Sequence, residues 1–443
     1  MSCEPLTLSN ESPQTATHEP NTRQDHAWLS RRGFLFSAGA VLAQPGYVAA
    51  ADTPETTAVK VGFVGQTDAA PIIIAKEKGF FAKYGLKDAE IAKQPSWGVT
   101  RDNLELGSAG GGLDIAMVLR PMPFLMALGA VTKGNKKIPM VVPIQLNIDG
   151  QGITVSNEFR AENLRLDTSV MKTKVMKAKG EKYKFASTFK GGTSDLMMRY
   201  WLAAGGVDPD KDVESIIVPG PQLVANMKVG NLSGFCVGDP WHNRAIREKI
   251  GYTAFVSGEM WKDHPEKALT MRADWASKNP KTAQAVVAAI QEAQRWCDQP
   301  ENRTDLMQIL SQRAYCNVPV ADMIRLTGLV DYGDGRPVVK NSPYVMRFWK
   351  ANASYPFENA DIWFLTENVR WGFLPPNFDA IRKVVTEVNR QDIWRSAAKL
   401  ASIPTSDIPK KIVRDEVFFD GLKFNMNNPV AYLKGLEIKR VSV

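Results

Sequence analysis

Histidine is scarce in this chain. Of four in 443 residues, only His242 and His264 lie beyond residue 51, and neither has a partner at metal-ligand spacing. The four cysteines, Cys3, Cys236, Cys297 and Cys316, are too widely spaced for a zinc module, an iron–sulfur pattern or a redox pair. Cys297 and Cys316 fit a bridge formed after export and two free thiols equally well. No stretch after the N-terminal segment reaches the roughly 20 apolar residues that span a bilayer, so that part is expected to be soluble. No Arg-rich arm or finger pattern points to nucleic acid. The run Gly107–Gly112 lacks the Gly-Lys-Ser/Thr ending of a phosphate loop and the spacing of a dinucleotide fingerprint, and reads instead as a tight turn beside a strand. No nucleophile stands near an evident base, and no repeat or low-complexity tract follows residue 51.

What is present is a large, apolar, mildly basic body. At 44% apolar content the chain is long enough for two lobes with a sizeable interior. The formal charge is +8, and residues 1–51 hold only Arg23, Arg31 and Arg32 against Glu4, Glu11, Glu19 and Asp25, so the remainder carries +9. Such a surface favours anionic ligands.

Residues 1–29 are polar and proline-punctuated, which predicts disorder. Ser30-Arg31-Arg32-Gly33-Phe34-Leu35 then opens a short, weakly apolar stretch to Ala43, and Ala49-Ala50-Ala51 offers a cleavage site. The three parts in this order resemble a twin-arginine export signal, which predicts a periplasmic protein. No cysteine near the cut offers a lipid anchor.

Beyond residue 51 the pattern alternates. Val59, Val61 and Phe63 read as a strand, Pro71 opens a helix through Ile72–Ala75, and Ala89–Ala92 form a second strand. Tyr183–Ala186, Ser215–Val218 and Gly234–Val237 repeat the strand signal, with helices over Asp195–Ala204 and Leu223–Val229 between them. Such βα units predict mixed sheets covered by helices. Asn279 as cap, Pro280 at the first helical position and the stripe Val286, Ile290, Ala293 and Cys297 predict a long late helix; Ile381, Val384 and Val388 mark another.

Several loops carry groups suited to a small anion. In Gln94–Gly98, Trp97 offers a broad plane beside the Gly98 amide, although a tryptophan is as often plain core. In Gly191–Asp195, glycines and a helix start expose amides, with the Thr193 and Ser194 hydroxyls as donors or helix caps. Val218–Gln222 is a third strand-to-helix loop. In Val237–Trp241, Asp239 is suited to orienting a donor or bonding across a cleft rather than touching an anion. Gln151 supplies two neutral donors, and Lys267 a positive charge, though lysines are usually solvated.

The segments Lys76–Leu86, Trp97–Asn103, Leu106–Gly112, Asn147–Gly152, Arg199–Gly206, Gln222–Gly230, His264–Lys267, Trp363–Glu367 and Phe418–Gly421 together resemble the nitrate- and bicarbonate-binding proteins of ABC transporters, with the nitrate-binding subunit nearest. The resemblance implies an α/β, type II-like periplasmic-binding-protein clamshell without chemical turnover. Lobe I would take residues 56–148 and 255–443, and lobe II residues 149–254. It carries a ligand role onto Trp97, Gly98, Gln151 and Lys267, beside Thr193, Ser194 and Asp239 from the loop reading. It implies a monomer that delivers its anion to a permease and its ATPase. Ser194 stands where the nitrate-binding pattern has histidine, and serine offers one neutral donor. Retention of Lys267 favours nitrate or nitrite. The alternatives are bicarbonate, the one ligand for which calcium would be expected as cofactor, cyanate, a sensor on the same clamshell, and an enzyme acting on a small organic precursor.

Overall fold

The computed structural model describes residues 53–178, 181–410, 413 and 416–443. The export signal, its cleavage site and Cys3 lie outside the described residues.

Two five-stranded mixed sheets organise the chain. Ten strands build them: β1 (Lys60–Val64), β2 (Glu90–Gln94), β3 (Ile115–Leu119), β4 (Met140–Ile148), β5 (Gln151–Ser156), β6 (Lys184–Ser187), β7 (Glu214–Ile217), β8 (Gly234–Gly238), β9 (Gly251–Val256) and β10 (Pro265–Arg272). The first sheet runs β2-β1-β3-β10-β4 and the second β7-β6-β8-β5-β9. In each, four strands run one way and one runs against them: Val61 pairs in parallel with both Ile91 and Ile115, while β10 opposes β3 and β4, and β5 opposes β8 and β9. The chain passes from the first sheet to the second between Ile148 and Gln151, and returns between Val256 and Pro265. Asp149 and Gly150 make the first crossing with positive φ.

This topology brings one end of every relevant strand together. The parallel strands end where the antiparallel β5 and β10 begin, so Gln151 sits opposite Gly238, and Lys267 opposite Leu119. Loops at the carboxyl ends of parallel strands are where α/β sheets bind ligands, because helix starts converge there. One continuous apolar core runs through both sheets and their helices.

The βα alternation read from the sequence is present, with boundaries moved by one to three residues. The helix Ala70–Glu77 buries Ile72, Ile73 and Ile74, packing against β2 and the helix Pro280–Cys297. Val286, Ile290, Ala293 and Cys297 of that long helix are buried as the stripe predicted. Cys297 and Cys316 are free, buried thiols. Gly112 does allow a close turn, since a Cβ there would meet the Asn103 carbonyl oxygen at 2.1 Å.

Two expected caps are replaced. The Asn279 side chain does not cap the long helix; its amide turns back to the Trp275 carbonyl at 2.9 Å. The Glu55 carboxylate takes its place, accepting from Lys281 N at 3.0 Å and from Thr282 N and Oγ1 at 2.8 and 2.9 Å. A full negative charge complements the helix N-terminus better than a neutral amide does. Partial burial pushes the Glu55 carboxyl up, but the Lys281 and Thr282 amides outweigh it and hold it below the ordinary range. A depressed folded-state value contributes stability above the unfolded value, and that stability disappears as pH falls through the folded value. Glu55→Ala should therefore cost up to about 1 kcal/mol at neutral pH, discounted for exposure, and cost little in strong acid. Thermal unfolding of both chains at pH 7 and pH 3 checks this; an equal loss at both would contradict the capping account.

Likewise Thr193 and Ser194 are the first residues of the helix Thr193–Ala204 but do not cap it. Asp195 instead brings a carboxylate into the first turn and accepts from Gly191 N, in the loop before the helix, at 2.8 Å.

Candidate anion site

Trp97 is placed by the cap before it. Ser96 Oγ accepts from Val99 N at 3.2 Å, starting the helix Trp97–Leu106 straight after β2 and turning the indole inward. Its ring lies 5.4 Å from Lys267 Nζ, within cation–π range.

Lys267 is not solvated; it is 1% exposed. Its ammonium lies between two carboxylates, 2.7 Å from Asp68 Oδ2 and in contact with Glu266 Oε1. The other Glu266 oxygen accepts from Gln151 Nε2, whose own carbonyl oxygen faces the Cys236 thiol at 3.6 Å. The Thr193 hydroxyl faces the same carboxylate but makes no well-formed hydrogen bond. Trp97, Gln151, Thr193 and Lys267, from both sheets, thus meet in one buried cluster.

The remaining nominees stand around it. Gly98 is half-buried and borders a cavity of about 630 Å³ between Ser96 and Arg101 on one side and Thr188, Phe189 and Pro219 on the other. The Ser194 hydroxyl is engaged by Thr188, 3.0 Å from its Oγ1 and 3.3 Å from its amide. Asp239 pairs with Arg325 at 2.8 Å, and its backbone oxygen accepts from Thr67 N and Oγ1, both at 3.1 Å, joining the loop after β8 to the loop after β1. A second cavity of about 600 Å³, beside Lys184, Asp195 and Arg199 at the β6–β7 edge, holds none of these nominees except through the Asp195 flank of the Gly191 loop.

Sequence reasoning missed Gln66, Asp68, Trp241 and Glu266. Buried polar atoms here lack hydrogen-bond partners: Gln66 Oε1, Asp68 Oδ1, Thr193 Oγ1 and Trp241 Nε1. Glycine permits their approach. A Cβ on Gly238 would fall 2.9 Å from Asp68 Oδ2 and 3.1 Å from Gln66 Oε1, and one on Gly220 would fall 2.9 Å from Trp241 Nε1. Asp68 and Glu266 were visible as residues, at a strand end and inside His264-Pro265-Glu266-Lys267, but nothing in the sequence marks them as facing one another.

Burial opposes the Lys267 charge, yet Asp68 and Glu266 overcome it and keep the ammonium protonated. Burial and the neighbouring Asp68 outweigh Lys267 at Glu266 and push its carboxyl up to about 7. Burial drives His242 well below its ordinary value; this neutral ring bonds Thr154 Oγ1 at 2.8 Å and the Val237 carbonyl at 2.7 Å. It therefore serves the packing beneath the site and is unsuited to proton transfer at neutral pH. Among the described residues no group of three or more His, Cys, Asp or Glu is arranged to hold a metal ion, and no helix is long and apolar enough to cross a membrane.

The arrangement suits holding a small polar solute in a water-poor site, without a nucleophile and base set for turnover. A family model described as NMT1-like matches residues 52–311. The nitrate/nitrite binding protein NrtA of Synechococcus elongatus is 52% identical over 90% of both chains. The bicarbonate-binding protein CmpA of the same organism is 41% identical over 93% of this chain and 98% of its own. The crystal structure of the periplasmic nitrate-binding protein NrtA from Synechocystis PCC 6803 superposes with a TM-score of 0.84 at 48% identity, covering 87% of this chain and 100% of that one. The chain belongs to the NMT1-like family and, within it, to the nitrate- and bicarbonate-binding proteins of ABC transporters: an α/β clamshell that binds a solute and is not an enzyme.

Proposed function

We propose that this protein is the periplasmic solute-binding component of a nitrate/nitrite import system. It captures the anion between lobe I (56–148 and 255–443) and lobe II (149–254) and delivers it, as a monomer, to an ABC permease and its ATPase. The observation that carries this reading is the buried Lys267 ammonium over the Trp97 face, with Gln151 and Thr193 from the other sheet beside it. A flat, delocalised anion fits between an indole and neutral donors, and one positive charge offsets part of its dehydration. Trp97, Gly98, Gln151, Thr193, Ser194 and Lys267 would contact or border the anion, and Asp239 would steady the join between the loops. Arg31 and Arg32 would direct export in the folded state.

Bicarbonate is the second reading, favoured by one observation: Asp68 and Glu266 are acceptors that an anion carrying its own proton can meet. The test is calorimetric titration of protein recovered from the periplasmic fraction with nitrate, nitrite, cyanate, and bicarbonate with and without calcium. Heat from nitrate or nitrite alone is expected. Heat from bicarbonate alone would replace the proposal, and an uncut chain confined to the cytoplasm would end the export reading.

A further inference from the structure

Lys267 and Gln151, the charged and the neutral donor of the site, are both engaged by Glu266. Neighbouring residues of a regular strand point to opposite faces. The pairing of β10 with β4 shifts register on either side of Lys267, and that irregularity lets Glu266 and Lys267 converge. An acceptor thus occupies the donors that an anion needs.

The surroundings leave few ways to resolve this. From its own strand Glu266 faces Lys267, from the loop after β1 it faces Asp68, and from β8 the Cys236 thiol. Gln151 and Thr193 are neutral. Asp239 lies beyond Asp68, paired with Arg325. With every group ionised, Asp68 and Glu266 exceed Lys267 by one negative charge, and the Asp239–Arg325 pair cancels. A nitrate ion would double that excess in a site where Asp68, Glu266 and Lys267 are at most 1% exposed.

Resting on the nitrate reading, we propose that Glu266 is a specificity-determining residue, and that the site takes up each anion together with one proton, which resides on the Glu266 carboxyl. The proton comes from solvent, and the nitrate charge and the proton charge cancel. Protonation turns Glu266 from an acceptor into a donor and frees the Gln151 amide and the Lys267 ammonium for the anion. The raised Glu266 value agrees with this, since the carboxyl is poised to gain a proton near neutrality. Bicarbonate differs because it brings its own proton to an ionised Glu266, so one residue distinguishes the two ligands by protonation state.

The experiment is nitrate calorimetry from pH 5.5 to 9 in buffers of differing ionisation enthalpy. Below about pH 7 affinity should level off with little proton uptake; above it, affinity should fall about tenfold per pH unit as uptake approaches one proton per nitrate. Glu266→Gln should abolish both the slope and the uptake, and Asp68→Asn, which removes one of the causes holding the Glu266 carboxyl up, should move the onset of the slope to lower pH. No uptake by the unaltered protein at pH 9 with nitrate heat intact would overturn the proposal. So would a slope that survives Glu266→Gln. The unaltered protein decides the matter even if a variant does not fold. Nitrate heat absent at every pH would instead remove the nitrate reading, and this inference with it.

Discussion

Replacing Lys267 by methionine should weaken nitrate binding by roughly 30-fold to several thousandfold, the range spanned by losing one partner of a buried charge pair. Methionine keeps most of the side-chain volume, so the indole of Trp97 retains a neighbour while the ammonium 5.4 Å from its ring is gone. The loss would be larger than for a surface lysine for two reasons. The dehydrated anion would lose its positive partner, and Asp68 and Glu266, now facing each other without the ammonium between them, would repel it unless both were protonated. Calorimetry at pH 6 and at pH 8 measures the effect on either side of the Glu266 value of about 7. A dissociation constant within threefold of the unaltered protein at both values would remove Lys267 from the site. A thermal scan of the variant separates loss of binding from loss of folding.

How far the site could be read beforehand follows from the physics of each residue. Trp97, Gln151 and Lys267 were nominated by side-chain chemistry together with family resemblance, and they do meet. Their strands were legible too, because a period of two in Val59, Val61 and Phe63 and a proline at a helix start are local signals. Burial of Lys267 was not legible. It depends on the register shift in β10 and on a carboxylate from the loop after β1, and both are products of tertiary pairing. The displaced caps make the same point. Asn279 and Thr193 are good cap residues by type, but Glu55 and Asp195 supply full charges to the same helix starts, and a sequence window around Asn279 does not contain Glu55. The sequence therefore identifies which groups can act, while the carboxylates that decide the charge balance come from segments that only the fold brings together.

Asp361→Asn should be strongly destabilising although it lies away from the site. Arg120, just after β3, is fully buried and reaches Asp361 on the helix Glu358–Arg370 with two parallel bonds, Nε to Oδ1 at 2.6 Å and Nη2 to Oδ2 at 2.9 Å. Asn389 Nδ2 adds a third bond to Oδ2 at 2.8 Å, so one carboxylate joins the first sheet to two C-terminal segments. The same Glu358–Arg370 helix holds the Gly191 loop through Asn368 Nδ2 and the Gly191 carbonyl at 3.1 Å. Removing the carboxylate charge leaves the buried Arg120 guanidinium without compensation. Breaking one side of such a pair costs about 3–5 kcal/mol, which for a chain of this length lowers the unfolding midpoint by about 5 °C. Substituting both partners, Arg120→Met with Asp361→Leu, should recover much of the loss, because the cost lies in the unpaired charge rather than in the missing bonds. Calorimetric scans of the single and double variants test this. A double variant no more stable than Asp361→Asn would show that the bonds themselves, and not charge neutrality, hold the C-terminal helices against the sheet.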